Sequence, residues 1–132
     1  MASGEERFAV TCPHDNLCRI PGAEPGLRLG LRLRMLASLA LIERDGDACW
    51  YCWQGFDGAT KRTLEHLIPL SAGGPEWCFW NLALACERCN ALVDRWRLRS
   101  KLAVKLAFET RVNPWPEIHR LRALEMVLRR SA

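Results

Sequence analysis

Residues 49–52 read Cys-Trp-Tyr-Cys and residues 86–89 read Cys-Glu-Arg-Cys, so one Cys-x-x-Cys spacing occurs twice. Each pair can turn two sulfurs toward one ion, and four thiolates form the tetrahedral set typical of structural zinc sites. A redox dithiol would explain one pair but not two. The two pairs, called the zinc knuckles below, therefore predict a core held together by Zn²⁺. The predicted ligands are Cys49, Cys52, Cys86 and Cys89.

Three of the seven cysteines lie outside the knuckles. Cys12, Cys18 and Cys78 match no ligand spacing, which favours free thiols, although Cys12 and Cys18 with His14 offer an alternative second metal site. The amino terminus carries acids and no apolar run, so we expect no secretory signal. A cytoplasmic location with reduced thiols follows from that expectation.

The composition is typical of one soluble domain. The chain has 132 residues, of which 49% are hydrophobic and 26% charged, enough to bury a core and too apolar for wholesale disorder. No apolar stretch approaches the ~20 residues that a membrane span needs. We predict a single domain over residues 1–132, with an irregular arm at 1–26, a core at 44–99 and a helical extension at 100–132.

Positive charge is concentrated in the last third of the chain. The net charge is +4, but residues 91–132 hold ten Arg and Lys against four acids, which makes them +6 and the first ninety residues −2. Such a field favours contact with nucleic acid, and a solvated helix face is the alternative. The candidate phosphate contacts are Arg95, Arg99, Lys101 and Lys105.

Hydrophobic periodicity predicts an α+β order of elements. These are a helix over 30–43, strands over 63–68 and 80–85, a long helix over 87–108 and a last helix from about 116 to 129. Asp45-Gly46 should end the first helix. In the long helix, Leu98, Leu102 and Leu106 are expected to face inward and the Arg and Lys residues outward.

The segment between the knuckles carries residues suited to metal-assisted chemistry. It reads Leu64-Glu65-His66-Leu67-Ile68-Pro69, then Gly73-Gly74 and Asn81-Leu82, and Asn90 follows the second knuckle directly. With Arg44-Asp45-Gly46 ahead of the first knuckle, this order resembles the zinc-ribbon branch of the HNH endonucleases over roughly residues 44–99. The resemblance implies a ββα-metal core, in which a hairpin and a helix surround a divalent ion. An N-terminal helix and basic C-terminal helices would flank it.

The resemblance also implies a role for each matching residue. His66 falls on the general base, Asn81 on the residue that positions the histidine loop, and Glu65 and Asn90 on ligands of a catalytic Mg²⁺ or Mn²⁺. Two positions depart from the family pattern. Glu65 is one methylene longer than the usual aspartate, and Asp94-Arg95 replaces the lysine often found shortly after the second knuckle.

These residue types suit the hydrolysis of DNA phosphodiester bonds. An imidazole accepts a proton from water near neutral pH, and a divalent ion on oxygen ligands stabilises the charge of the transition state. Two other classes stay open, namely a non-catalytic nucleic-acid-binding module and an HNH-fold enzyme acting on a small molecule.

Several of these residues also have a simpler structural interpretation. His66 can be a structural histidine, and Asn81 and Asn90 can cap the local backbone. Four tryptophans are expected to pack around the knuckles rather than stack on bases. They are Trp50, Trp53, Trp77 and Trp80.

Overall fold

The computed structural model describes residues 31–131 of the chain, with side chains over 34–130. Helix α1 (Leu31–Asp45) leads through the first knuckle to strand β1 (Arg62–His66). A loop then leads to strand β2 (Leu82–Cys86) and directly into the short helix α2 (Glu87–Leu92). Two longer helices follow, α3 (Leu98–Thr110) and α4 (Trp115–Ser131). The α+β class and the ββα order predicted from the sequence are confirmed.

The two strands form an antiparallel hairpin with a different core on each face. The register pairs Arg62 with Cys86 and His66 with Leu82. On one face Leu82 and Leu84 pack with Ala37 and Leu41 of α1. On the other face Ala85 joins the knuckles and the buried sides of α3 and α4. Alternation along a strand explains this division, because successive side chains point to opposite faces.

Arg44 holds the end of α1 against the hairpin. Its guanidinium donates to the carbonyl oxygens of Phe79 at 2.9 Å and Leu82 at 2.8 Å, and it pairs with Asp45 at 2.7 Å. The helix then stops as predicted, because Gly46 adopts φ 90° and donates its N–H to Ile42 at 2.8 Å.

Asn81 organises the loop between the strands. Its Oδ1 accepts from the N–H of Ile68 at 2.8 Å, and its Nδ2 donates to the carbonyls of Ile68 and Pro75, both at 3.0 Å. The side chain is buried, so these bonds satisfy its amide without water. The loop that follows His66 is therefore held at both ends by one side chain.

The predicted long helix over 87–108 is two helices, and this changes which residues face inward. Residues 93–97 form a turn in which Arg95 has φ 63°. The break resets the rotational phase of α3, so Leu102 and Leu106 are 47% and 57% exposed. Lys101, Val104 and Ala107 are buried in their place. A periodicity counted across residues 93–97 assigned the wrong face.

The other boundaries differ from the prediction by a few residues, as is usual for element ends. Of the four tryptophans, Trp50 and Trp77 pack against the cores as expected, whereas Trp53 and Trp80 are exposed. Cys78 is a buried free thiol. The arm at 1–26, with Cys12, His14 and Cys18, lies outside the described residues. Within the described part of the chain, no helix is both long and apolar enough to cross a bilayer.

A substitution at Gly74 tests how tightly the loop is built. A Cβ at this position would lie 1.9 Å from the carbonyl oxygen of Ile68, whereas one at Gly58 would meet nothing within 4 Å. We expect Gly74→Ala to lower the free energy of unfolding by about 1–3 kcal/mol, as overpacking does. Gly58→Ala is the matched control and should leave it nearly unchanged. Chemical denaturation followed by circular dichroism measures both, and equal stabilities would contradict this account of the loop.

Candidate functional site

The four knuckle cysteines come together at one point. Cys86 is the last residue of β2 and Cys89 lies in α2, while Cys49 and Cys52 precede β1. Their four sulfur atoms lie within 4.8 Å of one another, and three of the four residues are buried. This arrangement confirms the predicted ligand set as a group able to hold one metal ion.

Local backbone structure turns each pair of sulfurs inward. In the first knuckle the N–H of Trp53 donates to the carbonyl of Cys49 at 2.9 Å, and Trp53 adopts φ 66° to close the turn. In the second, the sulfur of Cys86 caps α2 by accepting from the N–H of Cys89 at 3.5 Å. The N–H of Trp50 donates to the carbonyl of Leu84 at 2.8 Å, which ties the first knuckle to β2.

The close approach of the four sulfur atoms indicates the need for a cation. Hydrogen bonds from Cys52 and Cys89 lower the pKa of the Cys49 thiol far below its usual range, and the same contacts raise the pKa of Cys89. Four thiolates this close repel one another unless a positive ion lies between them. Zn²⁺ matches both the ligand type and the number of ligands.

A second site lies beside the end of β1, in a pocket of about 280 Å³. It is called the His66 pocket, and its lining includes three of the predicted site residues and the first predicted phosphate contact. These are Glu65, His66, Asn90 and Arg95, with Asp94, Lys101 and the start of the loop alongside them. Asn81 does not line the pocket. It acts on the loop instead, as the resemblance implies.

His66 is oriented by a backbone carbonyl. Its Nε2 lies 2.9 Å from the carbonyl oxygen of Glu76. A carbonyl only accepts, so Nε2 carries a proton, and in the neutral form of the ring Nδ1 is then the basic nitrogen. The bond sets both the tautomer and the orientation of the imidazole.

Glu65 is 4% exposed and is held by two partners. The hydroxyl of Tyr51 donates to its Oε2 at 2.5 Å, and Nζ of Lys101 lies 3.2 Å from the same oxygen. Burial raises the pKa of Glu65, while the Tyr51 hydrogen bond and the Lys101 charge oppose that effect. Burial and the neighbouring Glu65 raise the pKa of Tyr51, so this phenol stays protonated and donates.

Asn90 joins α2 to β1. Its Nδ2 donates to Oγ1 of Thr63 at 2.8 Å and to the carbonyl of Leu64 at 3.3 Å. It does not cap α2, because Cys86 occupies the cap position. Both donors of the amide are thus used on β1, and Oδ1 accepts no hydrogen bond from the described residues.

The oxygen atoms of the pocket are of the chemical type that binds a hard divalent ion. Carboxylate and amide oxygens are the ligands that Mg²⁺ and Mn²⁺ prefer, and Glu65 and Asn90 supply one of each. Oε2 of Glu65 is already engaged by Tyr51 and Lys101. Oε1 of Glu65 and Oδ1 of Asn90 are therefore the atoms that would hold the ion.

The predicted phosphate contacts divide into two groups. Arg95 and Arg99 are exposed as expected. Lys101 is 1% exposed, and Lys105 lies over the rings of Trp50 and Trp53 at 4.3 and 4.5 Å and pairs with Glu109. The expectation that both lysines face solvent is wrong, because the break before α3 turns their side of the helix inward.

The sequence analysis missed Tyr51 as a site residue and assigned Lys101 another role, that of a phosphate contact. Tyr51 lies inside the first knuckle, where a tyrosine has no recognisable signal of its own. Lys101 follows β1 by 35 positions and meets it only through the packing of α3. Neither position could be linked to Glu65 by spacing.

Residues 49–93, about a third of the chain, match the family model described as HNH endonuclease. This segment is similar to the HNH domains of that family. Neither curated proteins nor solved structures match the chain. The HNH match covers both knuckles, the hairpin and α2, and it ends before Arg95 and α3. The matched family is one of endonucleases, and the matched segment carries the four-cysteine cluster described above, which could hold a metal ion.

Loss of one knuckle cysteine tests the metal centre. Structural Zn²⁺ contributes on the order of 10–16 kcal/mol to small domains, which exceeds most domain stabilities, so Cys49→Ser should give metal-free, unfolded protein. Cys78→Ser is the matched control, because Cys78 is buried but lies outside the cluster. Elemental analysis and circular dichroism should show one zinc per folded chain in the control only. A folded Cys49→Ser protein without metal would contradict a structural role.

Proposed function

We propose that the HNH domain hydrolyses phosphodiester bonds in DNA with the help of a divalent ion. The observation that carries the proposal is the His66 pocket, where an oriented imidazole, two oxygen ligands and an exposed arginine lie together. A phosphodiester resists attack because it is anionic and its leaving group is poor. A base, a cation and a fixed geometry are what its hydrolysis requires.

His66 serves as the general base. With Nε2 donating to the carbonyl of Glu76, Nδ1 takes the proton from a water molecule that attacks the phosphorus. Asn81 keeps the loop after His66 in place through its three hydrogen bonds. Attack opposite the 3′ oxygen breaks the bond from phosphorus to that oxygen, leaving a 5′ phosphate and a 3′ hydroxyl.

Glu65 and Asn90 would hold Mg²⁺ or Mn²⁺, which when bound supplies positive charge for the phosphate and the departing oxygen. Tyr51 and Lys101 keep the Glu65 carboxylate in place. Because Asn90 is anchored to Thr63 and Leu64, its amide oxygen keeps a constant position relative to β1.

Arg95 and Arg99 are the proposed phosphate contacts. Both are exposed, and Arg95 lines the His66 pocket. The φ of 63° at Arg95 costs an ordinary residue about 1 kcal/mol, which is the kind of strain often found at functional sites. The retained strain supports a role for this side chain in binding DNA.

One observation favours a second candidate, a nucleic-acid-binding module without catalysis. The ammonium of Lys101 partly neutralises the carboxylate that would hold the ion, which weakens attraction for a dication. An enzyme acting on a small molecule is a further alternative, and it predicts no cleavage of any nucleic acid.

Removal of His66 separates these candidates. His66→Ala should reduce nicking of supercoiled plasmid by about 10²- to 10⁴-fold in Mg²⁺ or Mn²⁺, because the proton acceptor is gone. Glu65→Ala should also lose activity, but high Mn²⁺ should restore part of it. His119→Ala removes an exposed histidine of α4 and is the matched control. Wild-type protein that binds DNA but never nicks it would establish the binding module instead.

A glycine at position 95 separates the arginine's charge from its backbone strain. Arg95→Gly should keep or raise the free energy of unfolding, by up to about 1 kcal/mol, because glycine adopts positive φ freely. It should weaken binding to DNA of any sequence and reduce the log–log salt slope by ~0.9. Arg122→Ala, an exposed arginine of α4 outside the pocket, is the control. An unchanged slope in Arg95→Gly would remove Arg95 from the interface.

A further inference from the structure

Lys101 of α3 reaches the end of β1 from outside the matched HNH segment. Its Nζ donates to the carbonyl oxygen of His66 at 2.7 Å and lies 3.2 Å from Oε2 of Glu65. One ammonium group thus contacts two adjacent residues of the strand, and the side chain is almost wholly buried. Tyr51 completes the group by donating to the same carboxylate oxygen.

This contact resolves a geometric difficulty of the site. Adjacent residues of a strand point to opposite faces, so Glu65 and His66 do not share a face by backbone geometry alone. The regular pairing with β2 also ends at His66. Lys101 supplies a donor at this point, because its Nζ contacts both the His66 carbonyl oxygen and the Glu65 carboxylate.

Stability alone does not account for a buried ion pair. Taking both charges out of water is costly, and apolar side chains of similar volume often serve a core equally well. Ser100, the neighbour of Lys101, packs α3 on α4 through a 2.7 Å bond to Glu125. The Ser100–Glu125 hydrogen bond thus provides a polar contact for the packing of α3 that does not involve Lys101.

We propose that Lys101 is a positioning residue of the nuclease site, which sets the placement of Glu65 and His66 by bridging them. The inference rests on the proposed function for its catalytic consequence. It makes α3, which lies beyond residues 49–93, a working part of the HNH site.

The test compares the NMR signals of the His66 ring in chains with and without Lys101. Lys101→Met leaves the buried Glu65 charge unpaired, so the test compares two variants that both lack the Glu65 charge. One is Glu65→Gln, in which Lys101 can still donate to the carbonyl oxygen of His66, and the other is Glu65→Gln with Lys101→Met. Long-range ¹H–¹⁵N correlation spectra at fixed pH give the chemical shifts of the His66 ring nitrogens. The His66 signals are assigned by their disappearance in His66→Ala. Ser100→Ala is the packing control, and Lys61→Met, whose side chain is 79% exposed, is the matched lysine control.

We expect the ring resonances of His66 to shift when Lys101 is replaced and to stay in place in both controls. In the otherwise native chain, Lys101→Met should lower kcat at least tenfold with little change in KM, whereas Lys61→Met should change neither. Identical ring spectra in the single and double variants would overturn the proposal, as would an equal shift in Ser100→Ala. If the wild-type chain cleaves no DNA, the proposed function fails, and the ring spectra still decide the role of Lys101.

Discussion

The convergence of four sulfur atoms within 4.8 Å is the constraint on which the rest of the molecule depends. Two of these atoms come from the segment before β1 and two from the junction of β2 with α2. One dication bound there would anchor the hairpin, the first knuckle and the helix to a single point. A two-stranded hairpin is marginal in water by itself, so this anchor and the two cores on its faces give it a defined position.

The metal centre and the His66 pocket are mechanically linked through short paths. Tyr51 lies between two cysteines of the cluster and donates to Glu65, and Asn90 follows directly after a third and donates to β1. The position of the knuckles therefore bears directly on the groups around Glu65. An ion held by the four cysteines would bear on the His66 pocket through the positions of these two donors.

Charge in this protein has two separate uses. The lysines of α3 turn inward, where Lys101 pairs with Glu65 and Lys105 lies over two tryptophan rings. Arginines near the pocket remain exposed. Some positive charges of the C-terminal third thus hold α3 against the core, and others lie on the outer surface. Net charge alone does not distinguish these uses, because it carries no information about direction.

The sequence by itself determined the local features: the four clustered cysteines, the ββα order, the end of α1 at Gly46 and the Glu65, His66 and Asn90 positions of the His66 pocket. Short fixed spacings and backbone preferences encode these. Only the tertiary structure decided that residues 93–97 break the long helix, which reversed the faces of α3. It alone brought Lys101 to Glu65 across 35 intervening residues, a contact that no local pattern specifies. Packing selects such long-range partners, because tertiary context routinely overrides local helix propensity.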